Sequence, residues 1–466
     1  MVRCTYRLTS AAKVTCYDNT VPRFYIENFG CRATQADGAA IERQFVQQGF
    51  APAQAADADV VVLNTCTVTA SADQDARAVI RRIHRQNPDC KIVVTGCYAQ
   101  RAPEELAALP GVTSVIGNSH KQHVAAVAAG ILPAADSGFV PLQSLDRGDR
   151  LLIDDIFAHT ELLAAPVFEA SDHAGRTRPN LKIQDGCNNR CSFCVIPFVR
   201  GQSRSLHADD VLREVEALES AGYREIVLSG INLGRWGRDF SPPSRFEDLL
   251  QLVLEHTAIE KIRISSVEPM DWTDTLIPLL ATSPRIAKHA HLPLQSGSDR
   301  ILRRMHRRYR PWHYAERVLT IRESIPDAAI GADVMVGFPG EDEAAFEETR
   351  SFIEQLPFTY LHVFTYSSRP GTPSATMPDQ VPVRIARERN RVLRELAAEK
   401  NRAFRGRFVG RTLQAITLSE QSSDSTGALT DNYIKLRIRG LHSANQWRRV
   451  EIEKLSDHGL EGQVLC

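Results

Sequence analysis

Three cysteines carry the most specific chemistry in the chain. Cys187, Cys191 and Cys194 are spaced C-x3-C-x2-C just after the strand-like run Leu181 to Gln184, so one loop at a strand end can converge three thiolates. A structural zinc site closes with four cysteine or histidine ligands, and no fourth lies close in sequence. Three thiolates on an iron–sulfur cubane instead leave one iron free for another ligand; zinc and unligated buried thiols are the other readings of this spacing. Three further cysteines each end a strand-like run. Phe24-Tyr25-Ile26 leads to Cys31, Val60-Val61-Val62-Leu63 to Cys66, and Ile92-Val93-Val94 to Cys97. Taken singly, such thiols are ordinary core residues. Cys90 opens the strand that Cys97 ends, and seven extended residues at ~3.3 Å each separate the two by roughly 20 Å, so both cannot serve one cluster. Cys90, Cys4, Cys16 and Cys466 are given no role.

The elements that must position these thiols follow from periodicity. From about Arg23 to Gly117 strand-like runs alternate with helical patterns, Ala36 to Gly49 and Ser71 to Gln86, as in βα units on a parallel sheet. Right-handed crossovers then bring Cys31, Cys66 and Cys97 to one carboxyl edge, where open α/β sheets bind ligands. Residues 137–178, with mixed charge and scattered glycines, read as a connector. From Leu181 six strand-like runs recur, at Leu181–Gln184, Glu225–Ser229, Lys261–Ser266, Ala290–Leu294, Ile330–Val336 and Tyr360–Tyr366, with helical patterns between most of them. That order predicts a partial parallel barrel whose active site lies on the loops after the strands. The last segment changes to short alternating runs, Thr412–Leu418, Tyr433–Ile438 and Arg448–Ile452, which predict a small β-barrel. The fold class expected is α/β: an amino-terminal α/β domain at 23–136, a (β/α)6-type partial barrel at 179–407 and a β-barrel at 408–466, preceded by an extension of unassigned role at 1–22.

Composition bounds the alternatives. A chain of 466 residues holds roughly three domains at about 150 residues each. With 56 basic and 56 acidic residues, global charge offers no argument for nucleic acid or membrane. No run approaches the ~18 apolar residues of a spanning helix, and the start lacks the apolar core of a signal peptide. A cytoplasmic protein without a membrane partner is expected, and there clustered cysteines bind metal or do redox chemistry.

The motifs together resemble a known family. Cys187-Asn188-Asn189-Arg190-Cys191-Ser192-Phe193-Cys194 is similar to the radical S-adenosylmethionine (SAM) signature, and GCRATQ, NTCTVT and TGCYAQ resemble the amino-terminal domain of radical SAM methylthiotransferases. The resemblance implies two 4Fe-4S clusters. One, on Cys187, Cys191 and Cys194, binds SAM through its free iron and reduces it to a 5'-deoxyadenosyl radical; a second, on Cys31, Cys66 and Cys97, holds the sulfur that becomes a methylthio group. No catalytic residue beyond these ligands is assigned. LSGINLGRWG, HLPLQSGS and DVMVGFPGE also match the family, making Gly230, Asn232, Gln295, Ser296 and Asp333 candidates for SAM contacts or the pocket wall. His291 is expected to be a core histidine, and Glu268, without a visible partner, is left unassigned.

NTCTVT, DDIFAHTELLAAPVF and KIQDGCNNRCSFC look most like the branch acting on N6-threonylcarbamoyladenosine beside the tRNA anticodon, where carbon 2 of the adenine receives the methylthio group. Thr430-Asp431-Asn432-Tyr433 lies in a module resembling the RNA-binding TRAM domain. Two arginine-rich stretches, Asp299 to Pro311 and Arg384 to Arg407, supply the local positive charge a tRNA anticodon stem-loop needs. A flavodoxin-like electron donor and a monomeric state are the family's implications. The alternatives are the same chemistry on N6-isopentenyladenosine or on a ribosomal-protein aspartate, and a noncatalytic iron–sulfur RNA-binding protein.

Overall fold

The computed structural model describes residues 21–130, 151–158, 162, 177–457 and 459–465. Cys4, Cys16, Cys466, most of the extension at 1–22 and most of the stretch 137–178 lie outside the described residues.

The first layer is a parallel six-stranded sheet of β1 (Arg23–Asn28), β2 (Ala51–Pro52), β3 (Val60–Thr65), β4 (Lys91–Gly96), β5 (Val112–Ile116) and β6 (Leu151–Leu152), in the order β2-β1-β3-β4-β5-β6. Its central strand is an unbroken apolar run because both faces are covered. Val61 and Leu63 pack with Ala76, Ile80 and Ile83 of the helix Ala70–Gln86, while Val60 and Val62 pack with Ile41 and Phe45 of the helix Arg32–Gln47. β6 comes from the stretch read as a connector: Leu151 and Leu152 pair with Val115 and Ile116 and extend the sheet.

The barrel comprises β7 (Asn180–Asp185), β8 (Arg204–Ser205), β9 (Glu225–Gly230), β10 (Lys261–Ile264), β11 (His289–His291), β12 (Ala329–Val336) and β13 (Tyr360–Thr365). Two sheets, β10-β9-β7-β8 and β11-β12-β13, meet through isolated parallel bridges, Ile262 to Ile286 and Ser266 to His291. Six parallel strands thus form the expected partial barrel, with β8 an antiparallel addition. Its core runs from Leu181 and Ile226 through Ile262 and Leu292 to Val334.

The last unit is a closed barrel of β14 (Thr412–Gln421), β15 (Ser425–Thr430), β16 (Lys435–Arg439), β17 (Trp447–Ser456) and β18 (Gly459–Val464). Two of its five strands escape the sequence pattern. STGALT and GLEGQV carry small residues and glycines of low strand propensity, and pairing with neighbours on both sides makes them strands. The long helix Val383–Gly406 reaches this unit, with Phe404 packed on Phe408.

Candidate functional site

The loop after β7 brings Cys187, Cys191 and Cys194 together. Burial pushes the Cys194 thiol up to about 12, and Cys191 and Cys187 add to the rise; Cys187 is raised mainly by burial too. Nitrogen donors are aimed at the sulfurs: Arg307 Nη1 lies 3.3 Å from Cys191 Sγ, Asn189 N 3.4 Å from Cys187 Sγ, and Asn232 Nδ2 3.7 Å from Cys187 Sγ. N–H groups on sulfur favour thiolates over thiols, as metal-bound cysteine requires.

Cys31, Cys66 and Cys97 follow the carboxyl ends of β1, β3 and β4, the three neighbouring strands of the sheet. Cys31 is exposed, whereas Cys66 and Cys97 are buried. Two glycines permit the approach. Gly30 has φ +98°, and a Cβ on it would lie 2.7 Å from Cys66 Cβ; Gly96 has φ +98°, and its Cβ would lie 2.4 Å from Thr65 O. Burial raises the Cys66 thiol to about 12, with Cys97 and Cys31 both contributing, so the three sulfurs sense one another. Asn118 Nδ2 donates toward Cys97 Sγ at 3.6 Å. Among the described residues each trio therefore offers three soft ligands and no fourth, a donor set that fits an iron–sulfur cubane with one open corner. Cys90 packs instead in the sheet's apolar core.

A buried ionic cluster fixes one trio against the other. Asp37, on the helix that follows Cys31, accepts from Lys121 Nζ at 2.7 Å, from Arg200 Nη2 at 3.0 Å, and from Lys182 Nζ. Asp185 accepts from Arg200 Nη1 at 2.9 and 3.1 Å and from Lys182 Nζ at 3.0 Å. Lys182 and Asp185 belong to β7, and Arg200 ends the short helix after Cys194. Burial alone would raise the Asp37 carboxyl, but Lys121, Lys182 and Arg200 outweigh it and hold the group below the usual carboxylate range. Burial opposes the Arg200 charge, yet Asp185, Cys97 and Asp37 keep it well above its usual value. A second tie joins Asp73 to Arg101 at 2.9 Å and to Arg369, which also donates to Thr67 Oγ1 beside Cys66 at 2.7 Å.

Between the trios lies a cavity of about 670 Å³ lined by Cys31 as well as Cys187, Cys191 and Cys194. Gly230, Gln295 and Asp333 line it. Asn232 acts on Cys187, as above, and its backbone N donates to Gln184 Oε1 at 2.7 Å. Ser296 does not reach the cavity wall: its Oγ is wholly buried against Thr349 Oγ1 at 3.1 Å and accepts from Ser298 N at 3.1 Å. Its role is to shape the turn.

Two readings change and one is extended. His291 is buried, as expected of a core histidine, and also lines the cavity, with Nδ1 2.8 Å from Ser266 Oγ and Nε2 3.5 Å from Asp333 Oδ1. His291, Asp333 and His362 each place a ligand-type atom within 4.8 Å of the others; they come from three different strands, His291 ending β11 and Asp333 facing His362 in register between β12 and β13, so no local spacing announces them. Glu268 has a partner, Arg307. The arginine stretches are also less free than their composition suggests. Arg307 is buried; Arg300 pairs with Asp342, Arg303 and Arg310 with Asp299, Arg389 with Glu341, and Arg391 with Glu388 and Glu395. Arg308 faces a smaller cleft beside Asn188 and Arg238. Among the described residues no helix is long and apolar enough to cross a membrane.

The chain is similar in sequence and in fold to known proteins. Residues 23–117 match the model of an uncharacterized protein family, UPF0004, and residues 181–353 that of the radical SAM superfamily. The chain is 38% identical over 420 residues to the threonylcarbamoyladenosine tRNA methylthiotransferase MtaB of Bacillus subtilis, covering 88% of this chain and 89% of that one. It is 37% identical to the protein of the same name from Aquifex aeolicus, covering 91% of this chain and 99% of that one. A tRNA-2-methylthio-N(6)-dimethylallyladenosine synthase from Syntrophobacter fumaroxidans is 33% identical, covering 95% and 96%. Among solved structures, the radical SAM methyltransferase TsrM of Kitasatospora setae aligns with a TM-score of 0.55 at 16% identity over 76% of this chain and 75% of that one, a likeness of fold.

Proposed function

Because the chain belongs to the radical SAM methylthiotransferase family, we propose that it methylthiolates carbon 2 of N6-threonylcarbamoyladenosine beside the anticodon of tRNA. The observation that carries this reading is the single cavity walled by Cys31 and by Cys187, Cys191 and Cys194. A carbon–hydrogen bond on an adenine ring has no acidic proton for a side-chain base, so the chemistry belongs to cofactors that the protein positions and shields. Cys187, Cys191 and Cys194 would hold the SAM-binding 4Fe-4S cluster, and Cys31, Cys66 and Cys97 a second; when bound, these groups and SAM supply the radical and the sulfur-carrying capacity.

The chain's own residues do the rest. Asn232 and Arg307 donate to the barrel thiols, and Gly230, Gln295 and Asp333 wall the space that SAM would occupy. The lining is largely apolar, and the charged and polar groups set into it, Arg32, His291 and Asp333, are the ones that would meet a threonylcarbamoyl group and have nothing to offer an isopentenyl chain. The carboxyl-terminal barrel is read as a TRAM-like RNA-binding unit, and the target base, unstacked in the anticodon loop, enters the cavity from a single strand. A flavodoxin-type donor, a monomeric chain and a cytoplasmic location complete the proposal. Mass spectrometry of tRNA nucleosides from a strain lacking this gene tests it: the 2-methylthio derivative of threonylcarbamoyladenosine should vanish while its precursor accumulates. An unchanged amount of that derivative would overturn the substrate assignment.

A further inference from the structure

The cavity runs from the loop after β7 to residues that begin other barrel strands, His289 on β11 and Tyr360 on β13. Arg32, the first residue of the helix after Cys31, lines it. Arg32 Nη2 donates to Tyr433 Oη at 3.2 Å, and among the described residues Arg32 pairs with no carboxylate. The other guanidinium in the lining, Arg307, is engaged by Glu268 and Cys191 Sγ. Burial lowers His289 well below the usual imidazole range, with Arg263 pushing the same way; burial lowers His362 as well, against the opposing pull of Asp333. Arg32 is thus the lining guanidinium that pairs with no carboxylate among the described residues, while His291 and Asp333 share the same wall.

Its anchor is built with care. Tyr433 has a left-handed backbone, φ 65°, a conformation that disfavours a non-glycine residue and persists only where its surroundings enforce it. Thr430 Oγ1 accepts from Ile434 N at 2.8 Å, and Asn432 Nδ2 donates to Asp327 O at 2.9 Å. The Tyr433 ring packs on His289 at 4.4 Å and on Tyr360 at 5.6 Å between centroids, with the Arg263 guanidinium 5.3 Å away over its face. The carboxyl-terminal barrel thus delivers one hydroxyl to a guanidinium that the amino-terminal domain extends into the cavity.

We propose that Arg32, steadied by Tyr433, is a carboxylate-binding subsite that takes the carboxylate of the threonylcarbamoyl group on the target adenosine. The proposal rests on the substrate reading above and names the residue that makes the choice. A planar guanidinium offers two parallel N–H donors to a carboxylate, whereas an apolar N6 substituent would leave the Arg32 charge desolvated and unmatched. Two other anions could claim the same chemistry, the carboxylate of SAM and an RNA phosphate.

The test uses reconstituted holoenzyme with anticodon stem-loops carrying the free-acid adenosine, its carboxyl methyl ester, or unmodified adenosine. Binding is read by fluorescence anisotropy alongside KM for methylthiolation. Wild type should bind the acid about 10- to 100-fold more tightly than the ester, and R32Q should lose that discrimination, with R32K, which keeps the charge but not the paired donors, retaining only part of it and Y433F losing a few-fold. R32Q should bind unmodified stem-loop as wild type does. Equal loss on acid and unmodified stem-loops marks a phosphate contact, and a loss of SAM affinity marks the cofactor's carboxylate; either overturns the proposal. The ester comparison needs no variant, so wild type binding ester and acid alike overturns it even if R32Q loses iron. A wild-type enzyme that methylthiolates none of these stem-loops refutes the substrate reading instead.

Discussion

The two cysteine trios reach similar chemistry by opposite routes. Cys187, Cys191 and Cys194 sit on one loop, so their meeting is a local property of the chain. Cys31, Cys66 and Cys97 meet only because β1, β3 and β4 are neighbours in a parallel sheet and Gly30 and Gly96 let the strand ends close. A local trio tolerates strain elsewhere in the protein; a topological one depends on the whole domain. The buried Asp37 cluster couples them, carrying charge from the sheet domain to β7.

The comparison can be broken most sharply by deleting each trio. The variant C187A/C191A/C194A should fall from about eight irons to about four and release no 5'-deoxyadenosine from SAM; an unaltered iron count refutes those ligands. C31A/C66A/C97A should also lose half the iron yet still cleave SAM, with methylthio product absent by mass spectrometry. Next in size is D37N, which leaves buried cations short of a partner and should cost about 3–5 kcal/mol in chemical denaturation. Its pH dependence has a defined sign. The folded Asp37 carboxyl lies below its unfolded value near pH 4, so its stabilisation is complete above that value and fades as pH falls beneath it. The wild-type advantage over D37N should therefore shrink on acidification; a constant gap contradicts the charge argument. G96A sharpens the contrast further: at φ +98° and 2.4 Å from Thr65 O it should cost about 1–3 kcal/mol and deplete iron at the amino-terminal trio alone. Smallest is C90A, where a core thiol is trimmed: about 1 kcal/mol or less, with iron count unchanged.

What was legible in the sequence follows the same division. The C-x3-C-x2-C loop can be read directly, and the strand-end positions of Cys31, Cys66 and Cys97 follow from buried apolar runs. The His291, Asp333 and His362 cluster cannot, because three separate strands contribute one member each. Nor could Arg307 be distinguished from its arginine-rich neighbours, since charge composition does not report which guanidinium turns inward onto Glu268. Ser296 shows the converse error: motif membership suggested a ligand contact where the side chain bonds Thr349. Arg32 and Tyr433 lie 401 positions apart, and only the meeting of the amino-terminal domain with the last barrel at the mouth of the middle one reveals them as a pair.

The barrel wall is laddered on both flanks, but between β10 and β11 the strand pairing among the described residues consists of the bridges from Ile262 to Ile286 and from Ser266 to His291. A shell sewn this sparsely along one line has a crease. Slow amide exchange should be greatest within each half, with the crease as the first line to part. Because His291 stands on that line, any breathing of the wall is felt at once by a side chain that borders the reaction chamber.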